Sequence, residues 1–376
     1  MHLTRIELRR IAMPLVTPFR TSFGSQTARD ILLVGWCHDG ADEPTGWGEC
    51  VAMSEPLYSS EFVDGVATVI ERFLAPALAA AGDISAADVD RVLAPFKGHH
   101  MAKAALEMAA LDAELRAQNR TLHQLLGGTR DHVPSGVSVG IFDNLDDLLT
   151  AVQGYVDDGY ARIKLKIEPG WDIEPVRRVR DLIGDDMGLQ VDANTAYRRT
   201  DIDHLCRLDE FGLLLIEQPM PVDDLLSHAA LAAASTTPVC LDESIESLTQ
   251  ASDAIDVGAT SVINIKPGRV GGYLTARRIH DLCRDRGIAV WCGGMLETGI
   301  GRAANCALAA LDGFTLPGDI SASRRFWARD IVRDPIDVVD GLVEVPTAPG
   351  LGYDLDHDVL AEVTADRRMI TLHAGE

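Results

Sequence analysis

The chain has 376 residues, 47% hydrophobic, 24% charged and 5% aromatic, a globular composition that excludes a disordered, collagen-like or disulfide-scaffold protein. Lys and Arg number 34 against 57 Asp and Glu, a formal charge of −23, which argues against a nucleic-acid partner because such binding needs a basic footprint. Seven irregularly spaced cysteines without a CxxC pair point to reduced thiols in a cytoplasm. No secretory h-region follows the charged start at Arg5, Glu7, Arg9 and Arg10, and no apolar run approaches the roughly 20 residues of a membrane span.

In chain order, Leu3 to Arg10 alternates as a strand, Ile31 to Cys37 reads as a second and Gly46 to Cys50 as a third. Thr17 to Ala28 reads as a polar loop carrying Phe19 and Phe23, and a second loop carries Met53 and Tyr58. Aromatics in such loops either pack on their own domain or form a lid over a ligand. Met101 to Asn119 has the apolar spacing of a helix within a helical stretch from Ser60 to Gly127. Residues 1–130 are therefore expected to form a small α+β domain.

From about residue 133 the rhythm changes. Apolar runs at Ser135–Val139, Ala161–Ile167, Gly188–Val191, Leu213–Ile216, Pro238–Leu241, Ser261–Ile265 and Ala289–Trp291 are each followed by an amphipathic stretch. Intervals of about 25 residues fit successive βα units, and strands apolar enough to be buried on both faces favour a closed barrel. The barrel is expected over 131–325, with 326–376 packing back on the leading domain.

Polar residues gather where each strand ends: Lys164 and Lys166, Asp192 and Asn194, Glu217, Asp242 and Glu243, Lys266, then Gly293 and Gly294. In a parallel barrel these ends share one face. A single acidic residue there can simply cap the next helix, but three successive strands ending in Asp192, Glu217 and Asp242 suit a hard cation, Mg²⁺ or Mn²⁺. Strand alternation sends Lys164 and Lys166 to the interior, and a lysine near a second cation is expected to fall toward neutrality and serve as a base. A metal-held carboxylate losing its α-proton to lysine, through an enediolate, is the chemistry these parts permit.

The order KxK, Asp, Glu, Asp, Lys at successive strand ends resembles the enolase superfamily, muconate lactonizing enzyme subgroup, a superfamily whose Lys base and Mg²⁺-stabilised intermediate are general knowledge. Long runs such as MPLVTPFRTSFG, GWGECVAMSEPLYSSE, RIKLKIEPGWD, QVDANTAY, NIKPGRVGGY and WCGGMLETGIGRAAN carry the likeness across the chain. They are similar to the N-acylamino acid racemase / o-succinylbenzoate synthase family. The resemblance implies a (β/α)7β modified TIM barrel with an α+β capping domain built from the N-terminal part and the C-terminal tail. It implies Mg²⁺ on Asp192, Glu217 and Asp242 and an acid/base pair of Lys166 and Lys266. Lys164 would lie beside the substrate carboxylate, with Asn194 and Glu243 near the metal. Ser138, Gly293 and Met295 would line the pocket and Phe19, Phe23 and Tyr58 would close it.

The implied activity is racemisation of N-acylamino acids, with o-succinylbenzoate synthesis for menaquinone as the alternative main role. Mandelate racemase-like enzymes would need a His base where Trp291–Gly294 stands, and dipeptide epimerases a second carboxylate after Asp319, where Ser321 stands. Arg269 is either a surface residue or one that tunes Lys266. His99 and His100 are expected exposed and outside the site. The partner is expected to be a small carboxylate substrate, with no nucleic acid or membrane, and the chain a homo-oligomer.

Overall fold

The computed structural model describes residues 1–38 and 40–372. Apolar residues alternate along β1 (Leu3–Thr21) and β2 (Gly24–His38), so Leu3, Ile6, Leu8, Leu33 and Trp36 are buried on pairing. β3 (Gly46–Cys50) pairs with β2 on the other side. The helices that follow are α1 (Val63–Val69), a π turn (Ile70–Leu74), α2 (Ala75–Ala80), α3 (Val89–Leu93), α4 (His100–Ala117) and α5 (Leu122–Leu126).

α4 buries residues almost all round, including Glu107 and Asp112, because β3 lies directly against it. The contact is backbone to backbone: a Cβ on Gly46 would lie 2.2 Å from Ala113 N, and one on Gly48 2.0 Å from Ala105 O. Only glycine allows the strand to come so near.

Two expectations are corrected here. The segment expected as a polar loop is the tip of the β1–β2 hairpin, with Phe19 opposite Gln26 and Thr21 opposite Gly24. The register breaks between Pro14 and Phe19, where Pro14 and Pro18 lack the N–H a ladder requires. The tip lies away from its own domain's core, which removes the alternation that would have marked it as strand. His99 is exposed as expected, but His100 opens α4 half-buried.

After β4 (His132–Pro134), strands and helices alternate: β5 (Gly136–Val139), α6 (Leu145–Asp157), β6 (Arg162–Lys166), α7 (Ile173–Ile183), β7 (Gly188–Asp192), α8 (Ile202–Leu205), β8 (Ile216–Glu217), α9 (Leu225–Ala234), β9 (Val239–Leu241), α10 (Leu248–Asp256), β10 (Val262–Ile265), α11 (Tyr273–Arg286), β11 (Ala289–Cys292) and α12 (Gly299–Ala309). The seven strands β5 to β11 form one parallel sheet in sequence order. Residues 314–319 close it: Phe314 bridges Val290 and Gly318 bridges Ser135, both parallel, while Asp319 N donates to Cys292 O at 2.9 Å. The result is a (β/α)7β barrel.

The chain ends by returning to its start. β12 (Leu342–Glu344) pairs with β4, and after α13 (His357–Val363), β13 (Thr364–Thr371) pairs antiparallel with β1. Two buried carboxylates fix the leading sheet and helices to the barrel. Glu107 of α4 accepts from Tyr273 N and Leu274 N at the start of α11. Glu49 of β3 accepts from Thr298 N, Thr298 Oγ1 and Gly301 N at the start of α12. Helix N-termini hold unpaired N–H groups, so a carboxyl group, whose oxygens accept hydrogen bonds, is the fitting partner. Among the described residues no helix is long and apolar enough to cross a membrane.

Candidate active site

Parallel register builds the site. It sets Ser138 beside Lys164, Lys166 beside Asp192, and Asp192 beside Glu217. Asp242 follows β9 directly and Lys266 follows β10. Asp192, Glu217 and Asp242 are essentially inaccessible to solvent, and charges so buried are tolerated only when paired. Left-handed backbone at Asn194, Thr195 and Gln218, with φ of 40°, 68° and 37°, lies at the ends of two of these strands. Such strain in non-glycine residues gathers where side-chain direction matters.

Each lysine finds a different carboxylate. Lys166 Nζ donates to Asp192 Oδ2 at 2.5 Å and Asn194 Oδ1 at 2.7 Å. Lys266 Nζ donates to Asp242 Oδ2 at 2.7 Å and to Tyr58 OH at 3.2 Å. Lys164 Nζ lies 3.2 Å from Glu217, 3.3 Å from Asp192 and 2.7 Å from Asp319. With β7, β8 and β9 between their strands, Lys166 and Lys266 approach the carboxylate cluster from separate sides.

For Lys164 and Lys266 the expected fall in pKa is not met in this arrangement. Burial pulls Lys164 and Lys266 down, but opposing charges outweigh it and hold both above the usual value: Asp319 and Glu217 act on Lys164, and Tyr58, Glu243 and Glu217 on Lys266. Burial pushes Asp192 up, yet Lys166 and Lys164 bring it down to about 2. Glu217 is raised by burial and by the charge of Asp192, and Glu243 reaches about 7 for the same two reasons.

Arg269 is buried, which excludes the surface reading. Its guanidinium donates to Asp242 Oδ1, to Tyr58 OH at 3.3 Å, and to the carbonyls of Ile245 and Asn264 at 2.7 and 2.6 Å. It shares Asp242 and Tyr58 with Lys266.

Among the described residues no three His, Cys, Asp or Glu side chains converge as a ready ligand set, and the lysine ammonium groups lie among the carboxylates instead. The donor chemistry nevertheless fits a hard divalent cation. Glu217 is strained toward protonation by its acidic neighbour, and Glu243 Oε2 is buried without a hydrogen-bond partner. Asn194 Nδ2 ties Glu243 to this cluster at 2.9 Å.

A cavity over the cluster is lined by Lys164, Lys166, Lys266, Asn194, Ser138 and Met295 from the barrel and by Phe19, Phe23 and Tyr58 from the leading domain. The hairpin tip lands on the barrel mouth: Ser22 Oγ donates to Asn194 O at 3.2 Å, and Ile141 N to Arg20 O at 3.0 Å. Gly293, expected in the lining, stands behind it, and Gly294 faces the cavity instead. A Cβ on Gly293 would lie 2.2 Å from Asn264 Oδ1 and 2.7 Å from Lys266 Cε, so its smallness makes room for the lysine.

The cavity also contains residues that sequence reasoning missed as components of the site. Asp319 pairs with Lys164 and, at 2.9 Å, with fully buried Arg162. Arg302 and Arg325 line the opposite wall with Phe326. The TLPGDISAS run was the available signal, because it follows the last helix of the barrel and so returns to the strand ends.

Comparison with known proteins agrees with this geometry. The mandelate racemase / muconate lactonizing enzyme N-terminal domain matches residues 5–127, and the enolase C-terminal domain-like family matches residues 147–359. An N-succinylamino acid racemase of an Amycolatopsis species is 60% identical, with 97% of this chain and 98% of the relative covered. An o-succinylbenzoate synthase of Geobacillus kaustophilus is 48% identical, with 93% and 92% covered. The crystal structure of an enolase superfamily member from Listeria innocua superposes with a TM-score of 0.94 at 39% identity, covering 99% of this chain and 100% of that one. With both of its parts matched and its barrel carrying the lysine and carboxylate strand ends, the chain belongs to the enolase superfamily, in the mandelate racemase / muconate lactonizing enzyme branch.

Proposed function

We propose that the protein is an N-acylamino acid racemase, acting on N-succinylamino acids, and that the same site has o-succinylbenzoate synthase activity. The observation that carries this reading is the pair Lys166 and Lys266, which reach one buried carboxylate cluster from strands separated by three others. The names of relatives at 60% and 48% identity support both activities.

Racemisation needs a base on one face of the α-carbon and an acid on the other. Lys166 takes the proton from one enantiomer while the Lys266 ammonium returns one to the opposite face, and the roles exchange for the other enantiomer. Lys164 holds the substrate carboxylate, and Arg269 fixes Asp242 and Tyr58 around Lys266. Dehydration to o-succinylbenzoate uses one lysine as base and then acid, with the other as a fixed positive charge. Asp192, Glu217 and Asp242 would hold Mg²⁺, with Mn²⁺ able to substitute, and the bound cation would supply charge that stabilises the enediolate.

In this reading residues 131–325 carry the chemistry, residues 1–130 close it and residues 326–376 return to the closing domain. The seven unpaired cysteines support a reducing compartment, the cytoplasm.

The test is α-proton exchange in D₂O. Lys166→Ala should suppress exchange from one enantiomer of an N-succinylamino acid far more than from the other, Lys266→Ala should show the reverse, and both should abolish racemisation. Exhaustive chelation should stop exchange by the unaltered enzyme, and Mg²⁺ should restore it. Loss of exchange from the same enantiomer in both variants would refute the opposed-lysine reading.

A further inference from the structure

The lysines and acidic cluster account for one end of the cavity. The same cavity holds a cation that this chemistry does not use. Arg325 lines the cavity with its guanidinium beside three rings, 4.6 Å from the centroid of Phe326, 5.1 Å from Tyr155 and 5.8 Å from Phe19. Its neighbour Arg324 pairs with Asp337 and, four residues on, Arg329 with Glu362, whereas among the described residues no carboxylate pairs with Arg325. Its bonds go to neutral groups, the carbonyl of Ser138 and, at 3.4 Å, the hydroxyl of Tyr155. Beside it the Ser138 hydroxyl is buried and has no hydrogen-bond partner. A guanidinium whose bonds go only to neutral groups keeps its full charge for an anion, and its fork geometry matches a carboxylate.

We propose that Arg325 and the Ser138 hydroxyl form a second carboxylate subsite that binds the free acid at the far end of the substrate's acyl group. The inference rests on the N-acyl reading above and deepens it, since a succinyl group ends in such an acid and an ordinary acyl group does not. It gives racemisation and o-succinylbenzoate formation one shared recognition element, because both substrates carry a succinyl tail. Arg302, in the same cavity, donates Nε and Nη1 to the carbonyls of Glu297 and Ser321 and is buried against Phe326.

The experiment compares racemisation of an N-succinyl and an N-butanoyl amino acid bearing the same side chain, substrates that differ at the far end by carboxylate against methyl. Arg325→Met should raise KM for the N-succinyl substrate by about 10- to 100-fold, the range for losing a charged hydrogen bond. It should change kcat little and raise KM for the N-butanoyl substrate far less than for the N-succinyl one. Ser138→Ala should produce a smaller rise confined to the N-succinyl substrate, and Arg325→Lys an intermediate one. These two variants carry the comparison should Arg325→Met fail to fold. Equal losses on both substrates, or no change on either, would overturn the subsite and leave the racemase reading standing. An unaltered enzyme that racemises neither substrate would overturn both.

Discussion

Gly293 ties the reaction to a single missing methyl group. Alanine there would push into Asn264 Oδ1 and the Lys266 side chain, and overpacking of this kind typically costs about 1–3 kcal/mol. Gly293→Ala should therefore lower kcat by about tenfold or more through a displaced Lys266 while the protein remains folded, as steady-state kinetics and thermal melting would check. The lysines and carboxylates that gather under the cavity were legible in the sequence because each stands at the end of a short apolar run, where barrel geometry leaves few choices. Arg269 was not resolved that way: a strand-end turn can send a guanidinium outward as easily as inward, and only its bonds to Asp242 and Tyr58 settle it. The pKa expectation for Lys164 and Lys266 failed for a related reason. Sequence spacing showed the neighbouring lysines but could not weigh them against carboxylates within 3.3 Å.

At the scale of elements, the β3–α4 contact bears the most on stability. Gly48→Ala would place a methyl group against the backbone of α4 at Ala105, where no side chain can swing aside. Strand and helix would have to separate, so a loss of several kcal/mol is expected, at or above the usual cost of overpacking. Denaturant unfolding should show the midpoint falling with activity per folded molecule preserved. The barrel strands were readable because a buried strand followed by an amphipathic helix repeats with nearly constant spacing. Two elements were not. The β1–β2 tip covers the barrel mouth and not its own domain's core, and Pro14 and Pro18 interrupt its ladder, so no alternation marks it as strand. The closing segment 314–319 makes only isolated bridges, too short for any periodicity, so Asp319 was read only in the comparison with dipeptide epimerases and not as a partner of Lys164.

Across the whole molecule, the leading domain is held to the barrel at Glu107 and Glu49. Burial pushes Glu107 up to about 8, against two backbone N–H bonds that pull it down. The folded protein therefore keeps a proton there that the unfolded chain loses near the ordinary carboxylate value. Between those two values the folded state binds more protons than the unfolded state, so stability falls as pH rises. Glu107→Gln removes that term: between pH 5 and 8 its Tm should fall by about a few degrees less than that of the unaltered protein, and parallel curves would show that Glu107 does not hold the proton. The same two anchors limit how the enzyme can breathe. Because they join α11 and α12 to different elements, α4 and β3, swinging the leading domain away as a unit would break both at once and strand two buried acids. The expected route for substrate and product is then movement of the hairpin tip around Phe19 and Phe23 and the segment around Tyr58, which line the cavity, while the body of the domain stays docked. Turnover would be paced by a doorway a few residues wide, and hydrogen exchange measured during catalysis should be fast at that doorway and slow at the anchors.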